Sequence, residues 1–135
     1  MSHRLKLWLV IIILFERKVQ TMYFYKIENQ IINSKAPLSG FEEIIPNTTD
    51  AAGEKHVPVI EVSGNVVSVK VGSVEHPMLE AHFIQWILLE TENGCQIRNL
   101  KPGEAPKAEF RVSSGEKVLA AYEYCNLHGL WKSEF

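Results

Sequence analysis

A chain of 135 residues is long enough for one domain and a short appendage, and 46% hydrophobic and 22% charged residues indicate a globular protein rather than a disordered one. The net charge of −2 provides no basic field that would attract nucleic acid or an anionic membrane, so neither is predicted as a partner. Two cysteines are too few for a disulfide scaffold.

The N-terminus has a basic start followed by nine apolar residues, Leu7–Phe15, which are too few to span a bilayer. The pattern is similar to a signal peptide, but Glu16–Lys18 ends the run and no small-residue cleavage site follows. A second methionine, Met22, then opens a new segment. We therefore predict that residues 1–21 are an extension upstream of the true start at Met22.

Residues 22–50 are rich in turn-forming residues and show no helical periodicity, which predicts loops. Two short apolar pieces, Ile31–Ile32 and Ile44–Ile45, could pair there as brief strands.

The chain from residue 57 onward has the pattern of short strands separated by turns. Asn93-Gly94 is the strongest hairpin signal, and no helix is predicted. The predicted strands are Val57–Val62, Val66–Val71, His82–Thr91, Cys95–Leu100, Ala108–Val112, Lys117–Tyr124 and Leu130–Lys132. About seven strands at this spacing predict an all-β fold, an immunoglobulin-like antiparallel β-sandwich, with a small β-barrel as the alternative.

Four histidines and one cysteine in this β-rich part form a candidate metal site: His56, His76, His82, Cys125 and His128. Each residue alone is a weak signal, because a single histidine in a β-rich domain is more often a surface or hydrogen-bonded residue. Together they are a set of imidazole and thiolate ligands, which suits zinc, copper or iron.

The number of ligands helps to distinguish these metals. A structural zinc site uses four ligands in a closed tetrahedron, whereas five ligands leave one octahedral position open for a small molecule, which favours iron. Blue copper would use two histidines, a cysteine and a weak methionine, for which Met78 is the candidate.

At these residues the sequence resembles the superoxide reductase family, the desulfoferrodoxins and neelaredoxins. The resemblance extends from Ile44 to Lys132 and rests on four motifs in a specific order. These motifs are Glu54–Pro58, Gly72–Met78, Leu100–Gly103 and Tyr124–Gly129.

The resemblance implies the β-sandwich and one mononuclear iron that reduces superoxide to hydrogen peroxide. It implies that the four histidines hold the iron in a plane and that Cys125 binds on one side, opposite the substrate position. Of the Glu-Lys-His motif, Glu54 would ligate ferric iron and Lys55 would assist the reaction. Glu54 and Lys55 are thus the candidate catalytic residues, whereas Trp131 is expected to be a core aromatic.

The chain departs from one feature of the family. Desulfoferrodoxins often carry an N-terminal desulforedoxin-like module with four cysteines, but residues 22–50 contain no cysteine. We therefore interpret residues 22–50 as a remnant of that module, without a second rubredoxin-type iron, and residues 51–135 as the iron domain. An external electron donor such as a rubredoxin-like protein is required, and a homo-oligomer is expected.

Two other readings compete with superoxide reduction. One is a zinc or copper β-sandwich protein with a structural or electron-transfer role, and the other is a metal-free interaction module. A Cys95–Cys125 disulfide would indicate an oxidising compartment. The metal site instead requires Cys125 as a free thiolate, which predicts a cytoplasmic location.

Overall fold

A computed structural model describes residues 20–135 of the chain. Residues 1–19, and with them nearly all of the predicted extension 1–21, lie outside the described residues. The described residues divide into two compact units, with the boundary between Ile44 and Ile45. No helix in the described part is long and apolar enough to cross a membrane.

The first unit contains a three-stranded antiparallel sheet of order β2-β1-β3, so the prediction that residues 22–50 are mainly loops is wrong for this part. The strands are β1 (Tyr23–Ile27), β2 (Gln30–Ser34) and β3 (Glu42–Ile44). The predicted brief strands fall at β2 and β3, and both pair with β1. The strand β1 forms because Tyr23, Phe24 and Tyr25 are aromatic residues that favour strands, and two of them are buried.

The second unit is a sandwich of two antiparallel sheets, with strand orders β10-β9-β6-β7 and β4-β5-β8. Its strands are β4 (Pro58–Ser63), β5 (Val66–Val71), β6 (Ile84–Thr91), β7 (Gly94–Asn99), β8 (Lys107–Arg111), β9 (Val118–Cys125) and β10 (Gly129–Glu134). The predicted all-β antiparallel sandwich of about seven strands is therefore confirmed.

The core lies between the two sheets and follows from residue alternation. In β5, Val67, Val69 and Val71 are buried, whereas the intervening Ser68 and Lys70 are exposed. The same cluster includes Ile84, Ile87 and Leu89 from β6, Ala108 and Phe110 from β8, and Val118, Ala121 and Cys125 from β9. A one-residue shift of β5 would expose its three valines, so burial fixes the register.

One short helix, α1 (Gly53–His56), precedes β4, although no helix was predicted. A single turn has too few residues to show helical periodicity, and its stability comes from its surroundings rather than from its own propensity. The predicted hairpin between β6 and β7 is present, but its turn is formed by residues 92–93, one residue before the predicted Asn93-Gly94, because Gly94 already pairs with Thr91.

Candidate metal centre

His56 is the last residue of α1 and is buried, with 2% of its surface exposed. Its Nδ1–H donates to the carbonyl oxygen of Ala52 at 2.7 Å. Because a carbonyl can only accept, this bond places the proton on Nδ1 and leaves a lone pair on Nε2. The short helix thus presents one imidazole with its Nε2 atom available as a ligand.

The ring of His76 lies in a different loop and is oriented by the same kind of hydrogen bond. Its Nδ1–H donates to the carbonyl oxygen of Pro77 at 2.6 Å, and its backbone N–H donates to the carbonyl of Val71 at 3.2 Å. The Nε2 atom of His76 lies 3.3 Å from Nε2 of His56. Two lone pairs pointing at one another at this distance repel unless a cation or a proton lies between them.

His82 lies before β6 rather than inside it, so the predicted strand His82–Thr91 begins two residues later, at Ile84. The backbone of His82 pairs with Leu79 in an isolated bridge. Its Nε2 atom is buried and has no hydrogen-bond partner. A buried, unpartnered nitrogen costs free energy unless something absent from the protein chain satisfies it, and a metal ion would do so.

Cys125 and His128 come from the turn between β9 and β10. Cys125 ends β9 and is fully buried, and Gly129 begins β10 with a positive φ of 77°, which favours glycine. The Sγ atom of Cys125 lies 3.5 Å from Nε2 of His76 and 3.9 Å from Nδ1 of His128. This turn brings a thiol and an imidazole to the same point as the other histidines.

All five predicted ligand residues come together, with one donor atom from each lying within 4.8 Å of the others. The four imidazole rings form a closed circuit in which neighbouring centroids are 4.6 to 5.0 Å apart. Neighbouring rings are inclined by 75° to 89°. The order around the circuit is His56, His76, His82 and His128.

The chemistry of these donors fits one metal ion. Imidazole nitrogen and thiolate sulfur suit iron, copper and zinc, and five donors exceed the four of a closed zinc tetrahedron. Met78, the candidate copper ligand, accepts a hydrogen bond on sulfur from the Ile84 N–H at 3.3 Å and packs against the core. Its sulfur is therefore engaged outside the cluster.

Burial favours the neutral form of three of the imidazoles, those of His56, His76 and His82. Burial is the main cause that lowers the pKa values of His56, His76 and His82, and that of His76 falls to about 4. Repulsion from the other histidines adds to this effect. These three imidazoles are therefore neutral at neutral pH and have free lone pairs, so metal binding does not first require a proton to leave them.

Burial likewise raises the pKa of the Cys125 thiol, while backbone N–H groups of His128 and Leu127 lower it. A bound cation would reverse the effect of burial and favour the thiolate. The structure records no disulfide, and Cys95 is exposed whereas Cys125 is buried. The prediction of a free Cys125 agrees with this arrangement.

Glu54 and Lys55 are exposed residues on α1, directly before the buried His56. The positive charge of Lys55 contributes to lowering the pKa values of His56 and His82. The ammonium group therefore acts electrostatically on the imidazole cluster. The backbone carbonyl of Glu54 accepts hydrogen bonds from Val74 N–H at 2.9 Å and from the Ser73 hydroxyl at 3.3 Å.

Two neighbours of the cluster have contacts that the sequence did not reveal. Trp131, expected in the core, stacks on His56 with 4.9 Å between centroids and donates its Nε1–H to the His128 carbonyl at 3.1 Å.

Glu123 is fully buried two residues before Cys125, and neither carboxyl oxygen has a hydrogen-bond partner. Burial raises its pKa well above the usual value. Strand alternation could have placed both side chains, but not their contacts.

The sandwich and its cluster of four imidazoles and one thiol define a β-sandwich protein with a candidate mononuclear metal centre. Residues 48–134 match the desulfoferrodoxin family. The chain therefore belongs to this family, as its motifs predicted.

Individual relatives agree with that assignment. The chain is 54% identical over 88 residues to the desulfoferrodoxin of Desulfarculus baarsii, covering 65% of this chain and 68% of that protein. It is 59% identical over 87 residues to a desulfoferrodoxin homolog of Archaeoglobus fulgidus, covering 64% and 67%. The structure of the superoxide reductase from Treponema pallidum is similar with a TM-score of 0.77 and 38% identity, covering 85% of this chain and 100% of that one.

Proposed function

We propose that this chain is a superoxide reductase, which reduces superoxide to hydrogen peroxide at one mononuclear iron. The observation that carries the proposal is the convergence of four imidazoles and one thiol, in which two Nε2 lone pairs face each other and a third Nε2 is buried without a partner. The family assignment and the superoxide reductases among its relatives support the same reaction.

In this proposal an iron would be held by His56, His76, His82, His128 and Cys125. When bound in the ferrous state it would supply the single electron that superoxide needs, and two protons would complete hydrogen peroxide. The thiolate of Cys125 adds electron density to the metal, as thiolates do in other iron sites. Backbone N–H groups of Leu127 and His128 tune that thiolate by lowering its basicity.

The remaining roles fall on residues around the cluster. The exposed ammonium of Lys55 provides a local positive field for an anionic substrate in a chain whose net charge is −2. Lys55 would also order the water that delivers protons, and the carboxylate of Glu54 would be the group that replaces the product on ferric iron. Trp131 covers one face of His56 and limits the access of water on that side.

The electron must come from outside this chain, because residues 1–94 contain no cysteine that could bind a second iron. An external rubredoxin-like donor fulfils that role in the proposal. The chain is proposed to work as a homo-oligomer in the cytoplasm, where Cys125 stays reduced.

Rapid mixing of the iron-loaded, reduced protein with superoxide tests the proposal. One hydrogen peroxide should form per superoxide without release of dioxygen, and Lys55→Ala should slow the bimolecular reaction about tenfold at low salt. The matched control is Lys70→Ala, which removes an exposed lysine from β5. Dioxygen release, or no reaction of an iron-loaded protein, would contradict the proposed activity.

A further inference from the structure

The side chain of Asn126 connects the turn that carries Cys125 and His128 to the loop that carries His82. Its Oδ1 atom accepts a hydrogen bond from the Phe83 N–H at 2.9 Å, and its Nδ2 donates to the Ala81 carbonyl at 3.0 Å. The backbone N–H of Asn126 also donates to the Phe83 carbonyl at 3.2 Å. Asn126 thus binds the residues on both sides of His82.

This connection matters because the ring of His82 has less support than the rings of His56 and His76. The rings of His56 and His76 are each oriented by an Nδ1–H bond to a carbonyl oxygen. Within the described residues, the ring of His82 has no comparable bond, and its position depends on its backbone. A donor held only by its backbone needs that backbone to be fixed relative to the other ligands.

Asn126 is placed to provide this restraint, since it follows Cys125 directly and comes two residues before His128. The His82 ring lies 5.0 Å from the His128 ring, so a shift between the loop and the turn would separate these two donors. Two side-chain hydrogen bonds and one backbone hydrogen bond of Asn126 connect the loop to the turn.

We infer that Asn126 is a positioning residue for the metal centre, which holds His82 in register with the Cys125 thiolate and His128. The inference rests on the proposed function in so far as the centre binds a metal, but it does not require the metal to react with superoxide. Loss of a partner that orients a ligand typically weakens metal binding by about 10- to 100-fold.

The experiment is a titration of the metal-free protein with Co²⁺, followed through the thiolate-to-cobalt and d–d absorption bands. Asn126→Ala should raise the dissociation constant about 10- to 100-fold and change the d–d bands, because one imidazole is no longer held in place. Asn126→Asp keeps the acceptor for Phe83 but lacks the donor for Ala81, so its dissociation constant should fall between those of the wild type and Asn126→Ala.

The matched control is Asn47→Ala, which removes a side-chain clamp of the same kind between two residues that are not ligands. Asn47 donates to the Lys132 carbonyl at 3.1 Å and accepts from the Lys132 N–H at 2.8 Å. This variant should lose stability without a change in the cobalt spectrum or affinity. Equal behaviour of Asn126→Ala and Asn47→Ala in the cobalt titration would overturn the inference.

A double-mutant cycle with His82→Ala tests whether Asn126 acts through His82. In the His82→Ala background, Asn126→Ala should cost little further affinity, whereas independent, additive losses would overturn the inference. If the Asn126→Ala protein does not fold, Asn126→Asp provides the same comparison. Failure of the protein to reduce superoxide would leave these cobalt results unaffected, so the two proposals fail separately.

Discussion

Replacing Gly72 by alanine should disrupt the support of the turn that carries Lys55 and His56. A Cβ atom at residue 72 would overlap the Glu54 carbonyl oxygen and lie 2.9 Å from the Lys55 carbonyl carbon. Both obstacles are backbone atoms, which cannot rotate away as a flexible side chain would. The α1 turn or the loop after β5 must therefore move.

The size of the effect follows from the overlap. Forcing an extra methyl group against well-packed atoms costs about 1 to 3 kcal/mol of unfolding free energy. The displaced segment includes the carbonyl of Glu54, which binds Val74 and Ser73, so these hydrogen bonds should weaken as well. Each tenfold loss of metal affinity corresponds to about 1.4 kcal/mol, so a similar strain on His56 would weaken binding about 10- to 100-fold.

Urea unfolding of the metal-free protein and cobalt titration measure the two effects separately. Gly53→Ala is the matched control, because its Cβ would approach no atom closer than 4.0 Å, and this residue lies in the same turn. Alanine in place of glycine in a helical turn should be neutral or stabilise by up to about 1 kcal/mol. Equal stability and equal cobalt affinity of Gly72→Ala and Gly53→Ala would show that the loop tolerates the extra Cβ and would contradict the prediction.

Three further predictions concern the groups around the cluster. Because burial lowers the folded pKa of His76 from 6.5 to about 4, the metal-free protein should lose up to about 3 kcal/mol of stability as the pH falls from 6.5 to 4, measured by urea unfolding. Burial raises the folded pKa of Glu123, so the free energy of unfolding of the wild type should fall as the pH rises above about 4.5. Glu123→Gln has no such carboxyl group and should become more stable relative to the wild type as the pH increases. Parallel pH profiles of the two proteins in urea unfolding would contradict this prediction. Trp131→Phe keeps a ring on His56 but loses the bond to the His128 carbonyl, and thermal unfolding should show a cost of about 1 kcal/mol.

The sequence was sufficient to predict the sandwich because its strands alternate clearly. Val66–Val71 was predicted with its observed bounds, since every second residue is a valine that must face the core. The sheet of Tyr23–Ile27 and its neighbours was missed because turn-forming residues surround the strand, and strand pairing there depends on partners distant in the sequence. Local propensity cannot show such partners.

The ligand set could be predicted from residue types and motifs, but the way in which each ligand is held could not. The carbonyl partners of His56 and His76 are backbone atoms, which every residue has, so the amino-acid sequence does not identify them. The bonds of Asn126 to the loop around His82 join residues more than 40 positions apart and depend on the pairing of β6 with β9 in one sheet. The burial of the unpartnered Glu123 carboxyl could not be predicted either, because it depends on β9 having a neighbouring strand on each side.

The proposed iron centre is tested most directly by the metal content and visible spectrum of the oxidised protein, for the wild type and Cys125→Ser. We expect one iron per chain and a thiolate-to-iron charge-transfer band that is lost in Cys125→Ser. Zinc or copper that iron cannot replace would contradict the proposed enzyme while leaving the fold intact. Absence of bound metal after anaerobic reconstitution with ferrous iron would contradict the metal centre itself.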